Sequence, residues 1–339
     1  MKLSIVLPCY NVACHLEKCF ESIYSQNVSY SFEVIAVNDA SNDETLDKLM
    51  QLSTKYPNVL VVNKTKNEKL SGARSTGISK ASGEYILHLD PDDYLLPNSL
   101  KHIFDHEGNW DILVLNIACQ LSDKSQYYPL YRLKKQHFFT LSCKTDRYQL
   151  FQMIKGSCIG KVFRSSLCKD LVYSKYHYNI GEDFAFNFEV FNRAKNVLYV
   201  PDVAYCYQYN PTSLIRSAFN EARLEINNSW ITNVITILSS SEPIYSESRK
   251  TILKEIERYS IGLLLKIKNE PEDRKIVLFN KWKSFFANQL MIYRPLKSKW
   301  YKSLLSVRSF NVSYVLFIMS LGQIAPITER IKRLFKIYN

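Results

Sequence analysis

The 339-residue chain contains no CxxC pair and no histidines at zinc-finger spacing, so its eight cysteines (9, 14, 19, 119, 143, 158, 168 and 206) form no metal-binding pattern. Met1-Lys2 leads straight into the strand-like Leu3–Leu7, so the expectation is a chain with no secretory signal whose cysteines are reduced thiols in the cytoplasm. No Gly-x-Gly-x-x-Gly follows the first apolar run, which argues against an NAD-linked dehydrogenase. No Gly-x4-Gly-Lys-Ser/Thr supports a P-loop nucleotide hydrolase. A sugar-phosphate nucleotidyltransferase would want a basic, glycine-rich loop after strand one, and Pro8-Cys9-Tyr10-Asn11 is not one. Internal repeats and low-complexity tracts are also missing. The longest uncharged run, 309–328, has the length of a bilayer span. Asn311, Gly322, Gln323, Pro326 and four Ser/Thr make it too polar to be a good one.

What is present suits a folded protein: hydrophobic residues at 46% and aromatics at 13% exclude disorder. The net charge of +12 is localised, because residues 251–339 hold 17 Lys+Arg against 6 Asp+Glu, leaving the first 250 nearly neutral. A basic tail rich in aromatics points to an anionic membrane surface rather than nucleic acid. Tyr301-Lys302, Arg308, Arg330, Lys332, Arg333 and Lys336 flank the uncharged run as they would in segments lying in the interface. A helical subdomain with a solvated basic face is the other reading. The expected placement is cytoplasmic, peripheral at the inner face of the membrane.

The first hundred residues alternate strand and helix patterns, predicting parallel βαβ units. Strands are expected at Leu3–Leu7 (closed by Pro8), Phe32–Val37, Val59–Val62 and Tyr85–Leu89. Between them, Leu16, Cys19, Phe20 and Ile23 recur at helical spacing. Ser41-Asn42-Asp43-Glu44 has the form of a capping box, opening a helix with Leu46, Leu49, Met50 and Leu52 on one face. Ser71 to Ala81 reads as a third helix, with Gly83 at a C′ position wanting positive φ. Further strands are expected at Ile112–Ile117, Gly160–Phe163, Tyr199–Pro201 and Val203–Tyr209. A helix over Asp183–Arg193 carries Phe184, Phe188 and Phe191 on one face, and helices follow from about 217. A mostly parallel sheet gathers its ligands outside the carboxyl ends of its strands, which places Pro8–Tyr10, Asp39 and Asp90–Asp93 around one crevice.

Three carboxylates within four residues, Asp90-Pro91-Asp92-Asp93, repel one another unless a cation sits among them. Pro91 keeps Asp90 extended, so Asp90 and Asp92 can face the same space and offer hard oxygen ligands to Mg²⁺ or Mn²⁺. A solvated turn accounts for the same residues. His102 and His106, four apart on a helix with no third ligand nearby, read as surface residues, and His88, inside a strand, as a packed histidine.

Four stretches together resemble the inverting family 2 glycosyltransferases of bacterial surface-polysaccharide type. They are "LSIVLPCYNV" (3–12), "VNDASNDET" (37–45), "LSGARSTGISKASGEYILHLDPDD" (70–93) and "GEDFAFNF" (181–188). The resemblance covers residues 1 to about 215. It implies an α/β GT-A catalytic domain over 1–215, followed by a helical, basic region over 216–339. It also implies a metal-assisted enzyme that moves a sugar from a nucleotide-sugar, preferentially a UDP-sugar, to a hydroxyl of a glycan or lipid-linked acceptor. Carried onto this sequence, Pro8 and Tyr10 frame the base and Asp39 accepts its N–H. Arg74 approaches the donor, Asp90 holds the ribose or the metal shell, and Asp92 ligates the metal. Asp183 serves as base beside Glu182, Asp93 turns to the scaffold, and Lys161 lines the acceptor pocket unless it is merely an exposed strand lysine. A non-catalytic, membrane-tethered sugar-nucleotide binder would need no Glu182-Asp183. The chain departs from the family's Ala-Arg-Asn at Ala73-Arg74-Ser75. Near Tyr205–Tyr209 it lacks the usual Arg or His, leaving Gln208 or Arg216 for phosphate handling.

Overall fold

The computed structural model describes residues 2–26, 28–29, 31–106, 108–120, 127–129, 131, 133–142, 150, 157–169, 171 and 182–208. Beyond these it describes single positions between 221 and 267, and then 270–292. The chain divides into two compact units, Met1–Ser217 and Ala218–Asn339.

The first unit is built on a mixed sheet. Strands β1 (Leu3–Cys9), β2 (Phe32–Asn38), β3 (Val59–Asn63) and β4 (Tyr85–His88) alternate with helices α1 (Ala13–Tyr24), α2 (Thr45–Lys55) and α3 (Lys69–Lys80). Strand β5 (Tyr94–Leu95) and helix α4 (Ser99–Asp105) precede β6 (Ile112–Gln120), β7 (Tyr127–Pro129) and β8 (His137–Thr140). After β9 (Lys161–Arg164) come the short α5 (Ser165–Cys168), then α6 (Glu182–Arg193) and β10 (Asn196–Gln208). The sheet order is β3-β2-β1-β4-β9-β6-β10-β5, with β7 on β6 and β8 on β10. β1 runs parallel to β2 and β4, β2 to β3, and β6 to β10, while β9 enters antiparallel between β4 and β6. The expected α/β sheet is therefore present, all parallel across β3-β2-β1-β4 and mixed beyond β4. All seven residues of β1 are buried, the pattern of a strand covered by helices on both faces.

Several local expectations are corrected. β1 does not stop at Pro8: Pro8 pairs with Val37 and Cys9 with Asn38. Even-numbered residues of β1 turn their backbone toward β4, where Leu89 N–H still reaches the Val6 carbonyl at 3.1 Å. The N–H that Pro8 lacks would point past the end of that ladder and is not missed. The capping box does not form, and α2 starts at Thr45 without a side-chain cap. Ser41 Oγ instead accepts the Asn11 N–H at 3.0 Å, and Asp43 accepts the amides of Thr45 (3.0 Å) and Ala13 (3.3 Å), stitching the β1–α1 turn to the β2–α2 turn. Met50, expected inside, is 53% exposed. Gly83 has no positive φ and is needed for closeness: a Cβ there would come within 2.7 Å of Ser4 Oγ. The two expected strands around Pro201 are one strand, β10, whose register against β6 shifts on either side of Val203, where a proline is tolerated. The side chains of Phe184 and Phe188 lie outside the described residues, while Phe186 and Phe191 are buried.

In the second unit, helix α7 (Glu272–Ile292) buries Leu278, Phe279 and Trp282. Residues 293–339, with the uncharged run and most of the basic tail, lie outside the described residues. Among the described residues no helix is long and apolar enough to cross a membrane.

Candidate active site

The parallel strands bring the ends of β1, β2, β3 and β4 to one edge, where Tyr10, Asp39, Lys64 and Asp90–Asp93 follow their strands. The turns leaving β1 and β2 put Asn11 and Ala40 in the left-handed region, at φ of 53° and 57°. Such conformations strain a residue bearing a Cβ and concentrate at functional edges. Pro8 is buried beneath this edge, while Tyr10 is 47% exposed with its ring available as a platform.

Asp39 is buried, at 2% exposure. Its Oδ1 accepts the Glu68 N–H at 2.9 Å and lies 3.2 Å from Lys64 Nζ, which also contacts Glu68 Oε2 at 2.6 Å. Lys64 was not anticipated from sequence. It stands one residue beyond β3, and only the β2–β3 register places it beside Asp39.

Arg74 is fully buried on α3 and spans two carboxylates that are far apart in sequence. Its Nη2 donates to Asp90 Oδ1 at 2.7 Å, and its Nη1 donates to Asp183 Oδ1 at the start of α6. A guanidinium fork suits such double pairing, and a cation sealed from water depends on its partners. The structure therefore joins Arg74, Asp90 and Asp183, three of the expected site residues. Partial withdrawal from water pushes the Asp90 carboxyl upward, Arg74 opposes this, and Asp183 and Asp92 add to it. Ser157 Oγ lies 3.5 Å from Asp183 Oδ2. Glu182 opens α6, and its side chain lies outside the described residues.

Asp92 is half-buried on the turn between β4 and β5. Asp93 turns inward, as expected: Oδ2 accepts the Tyr205 hydroxyl at 2.7 Å and Oδ1 the Gln208 N–H at 2.8 Å. The Gln208 side chain is taken by Lys18 Nζ at 2.7 Å, and Lys18 also sits 3.9 Å over the Tyr94 ring. Gln208 thus braces the acidic turn, while Arg216 lies outside the described residues. Lys161 is fully buried rather than an exposed strand lysine, donating to the Ser157 carbonyl and lying 3.4 Å from the Tyr131 hydroxyl. His88 is buried between Phe163 and Phe186. His102 and His106 are half-buried on and just after α4, with Asp202 3.7 Å from His102 Nδ1.

Among the described residues, no group of three or more His, Cys, Asp or Glu converges as a metal cage. Asp90 and Asp92 supply two hard carboxylates, a donor set that fits Mg²⁺ or Mn²⁺, ions that take further ligands from phosphate and water.

A family model described as Glycosyl transferase family 2 matches residues 4–193, more than half of the chain. The chain belongs to glycosyl transferase family 2. It is 30% identical over 212 residues to the poly(ribitol-phosphate) beta-glucosyltransferase of Bacillus spizizenii, a match covering 61% of this chain and 32% of that one. Against the uncharacterized glycosyltransferase EpsJ of Bacillus subtilis it is 28% identical over 227 residues, covering 65% and 64%. The chain thus spans about a third of the first relative and under two thirds of the second. S. aureus TarS 1–349 in complex with UDP-GlcNAc superposes with a TM-score of 0.63 at 21% identity over 90% of both chains. The mannosyltransferase PcManGT from Pyrobaculum calidifontis, in complex with GDP-Man and Mn²⁺, gives 0.50 at 14% over 96% of this chain and 87% of that one. Both likenesses show the GT-A fold of this family.

Proposed function

We propose that this protein is a metal-assisted, inverting glycosyltransferase whose catalytic domain is residues 1–215. It moves a sugar from a UDP-sugar to a hydroxyl of a glycan or lipid-linked acceptor in surface-polysaccharide synthesis. The observation that carries this reading is the Arg74 fork, which ties Asp90 of the acidic turn to Asp183 across the crevice. Glycosyl transfer needs a donor-holding group and a proton acceptor facing one reaction centre, and a sugar-nucleotide binder has no use for the second. The printed names of the relatives support the setting: one is a poly(ribitol-phosphate) beta-glucosyltransferase, and a minor teichoic acid biosynthesis protein is 28% identical over 207 residues. TarS with UDP-GlcNAc supports a uridine donor, and PcManGT with Mn²⁺ supports a divalent cation.

In this reading Tyr10 offers its ring to the base and Asp39 accepts the base N–H. Asp92, with Asp90, would hold Mg²⁺ or Mn²⁺, which when bound supplies charge neutralisation for the departing diphosphate. Arg74, fully buried, would act on the donor through the carboxylates it holds, Asp90 and Asp183. Asp183 takes the proton of the acceptor hydroxyl as that oxygen bonds to the sugar C1. The C1–O bond to the diphosphate breaks on the opposite face and its electron pair leaves with the nucleotide. One displacement gives inversion. The basic tail would hold the enzyme at an anionic membrane near a lipid-linked acceptor. Stronger salt-sensitive binding of the full chain to phosphatidylglycerol vesicles than to phosphatidylcholine ones tests that part.

The deciding experiment is a screen of nucleotide-sugars for slow hydrolysis, with Mn²⁺ and with chelator. UDP release from one UDP-sugar, suppressed by chelator, is the expected result. No binding or turnover of any nucleotide-sugar would overturn the reading.

A further inference from the structure

Lys64 is held at the strand-end edge beside Asp39: its own N–H donates to the Asn38 carbonyl at 2.9 Å, extending the β2–β3 ladder by one residue. Its side chain is 9% exposed, and its ammonium lies between Asp39 Oδ1 at 3.2 Å and Glu68 Oε2 at 2.6 Å. The Glu68 amide converges on the same Asp39 Oδ1 at 2.9 Å. Both donors fall on one oxygen, and among the described residues none reaches Oδ2. A buried carboxylate is thus turned so that one oxygen is saturated and the other remains an acceptor, with an ammonium alongside as a donor. Uracil presents the complement of that pair, an imino N–H next to a carbonyl oxygen. Cytosine presents the reverse, a bare ring nitrogen next to an amino group, and meets Asp39 with acceptor against acceptor.

The geometry points to Lys64 as a specificity-determining residue. It fixes Asp39 as an acceptor and stands beside the base carbonyl, so that the site takes a nucleoside diphosphate with an imino N–H next to a carbonyl and rejects cytidine diphosphate. This rests on the nucleotide-sugar reading above. A brace that merely stabilised the turn would weaken all nucleotides alike, whereas this role changes their ratio.

The test is calorimetric titration of UDP and CDP, which differ only at this edge of the base, into the full chain with Mn²⁺ present. Wild type is expected to prefer UDP by about thirtyfold or more, the scale of one mispaired buried polar group. Lys64→Met should lower UDP affinity about tenfold and leave CDP nearly unchanged, and Lys64→Arg should restore the preference. An unchanged UDP:CDP ratio in Lys64→Met overturns the inference, as does equal binding of the two by wild type. If Lys64→Met fails to fold, Asp39→Asn carries the test: an amide can turn its NH₂ to the cytosine ring nitrogen, so the ratio should move toward CDP, and a fixed ratio overturns the inference. Failure of wild type to bind UDP, CDP and GDP alike overturns instead the nucleotide-sugar reading on which it stands.

Discussion

The Tyr205 hydroxyl donates to Asp93 Oδ2 at 2.7 Å, and the Tyr205 phenol oxygen in turn accepts the Asp90 N–H at 3.1 Å. One phenol on β10 therefore grips the acidic turn at both ends, and the Asp93 N–H closes the turn onto the Asp90 carbonyl at 3.0 Å. Burial pushes the Asp93 carboxyl well above its ordinary range, with Asp90 and Asp92 adding to it, while Tyr205 and the Gln208 N–H oppose the shift. The turn that carries Asp92, the expected metal ligand, is thus held at Asp90 and Asp93 by a strand more than a hundred residues later in the chain.

Replacing Tyr205 by Phe should therefore cost about 1–3 kcal/mol, because Asp93 and the Asp90 amide both lose a buried partner. Urea denaturation measures the loss. Mn²⁺ titration in the presence of UDP should show weaker metal binding. If stability falls while metal affinity stays at the wild-type value, the turn is not what orients Asp92.

Arg74→Lys keeps the charge but supplies one ammonium where two carboxylates are spaced for a fork. We expect a loss of about 3 kcal/mol or more, on the scale of breaking a buried pair. Thermal melting monitors it, together with a marked loss of UDP affinity. An Arg74→Lys variant as stable as wild type would mean that the two contacts contribute little to holding α6 against α3.

Asp183→Asn keeps the size of the side chain and removes its capacity to take a proton. Transfer should fall by about 10²–10⁴-fold, the range of a lost general base. UDP affinity by titration should stay within a few-fold of wild type. Full activity in this variant would assign the base elsewhere, with Glu182 the next residue to test.

The parts of the fold legible in the sequence were those set by local pattern. Unbroken apolar runs marked β1, β2 and β4, which are largely buried, and also β3, although that edge strand stays half-exposed; the acidic turn followed from its place after β4. Contacts decided by distant register stayed hidden. Ser41 and Glu44 read as a capping box, but a partner thirty residues away, Asn11, takes the Ser41 hydroxyl. Gly83 read as a helix cap, yet its lack of a Cβ serves the approach of Ser4 and Lys2. Within the site, Asp39, Arg74, Asp90 and Asp183 were recognisable as motif residues. Lys64 and Tyr205 were not, since a lysine in a loop and a tyrosine in a strand acquire meaning only once β3 and β10 are placed.

His88 gives a prediction about acid. It is fully buried beside Phe163 and Phe186, and burial, then the Arg74 guanidinium, press its imidazole down to about 3 from an ordinary value near 6.5. The folded protein holds it neutral, whereas the unfolded chain takes a proton below about pH 6.5. The stability this group leaves intact above that pH is lost progressively as pH falls toward 3, by up to ~1.4 kcal/mol for each unit. The raised Asp90 and Asp93 carboxyls act in the opposite sense, gaining stability on acidification. The difference between wild type and His88→Phe therefore isolates the imidazole. Melting temperatures from pH 7 to pH 4.5 should fall more steeply for wild type than for the variant. Parallel curves would show that His88 is not the acid-sensitive group of the core.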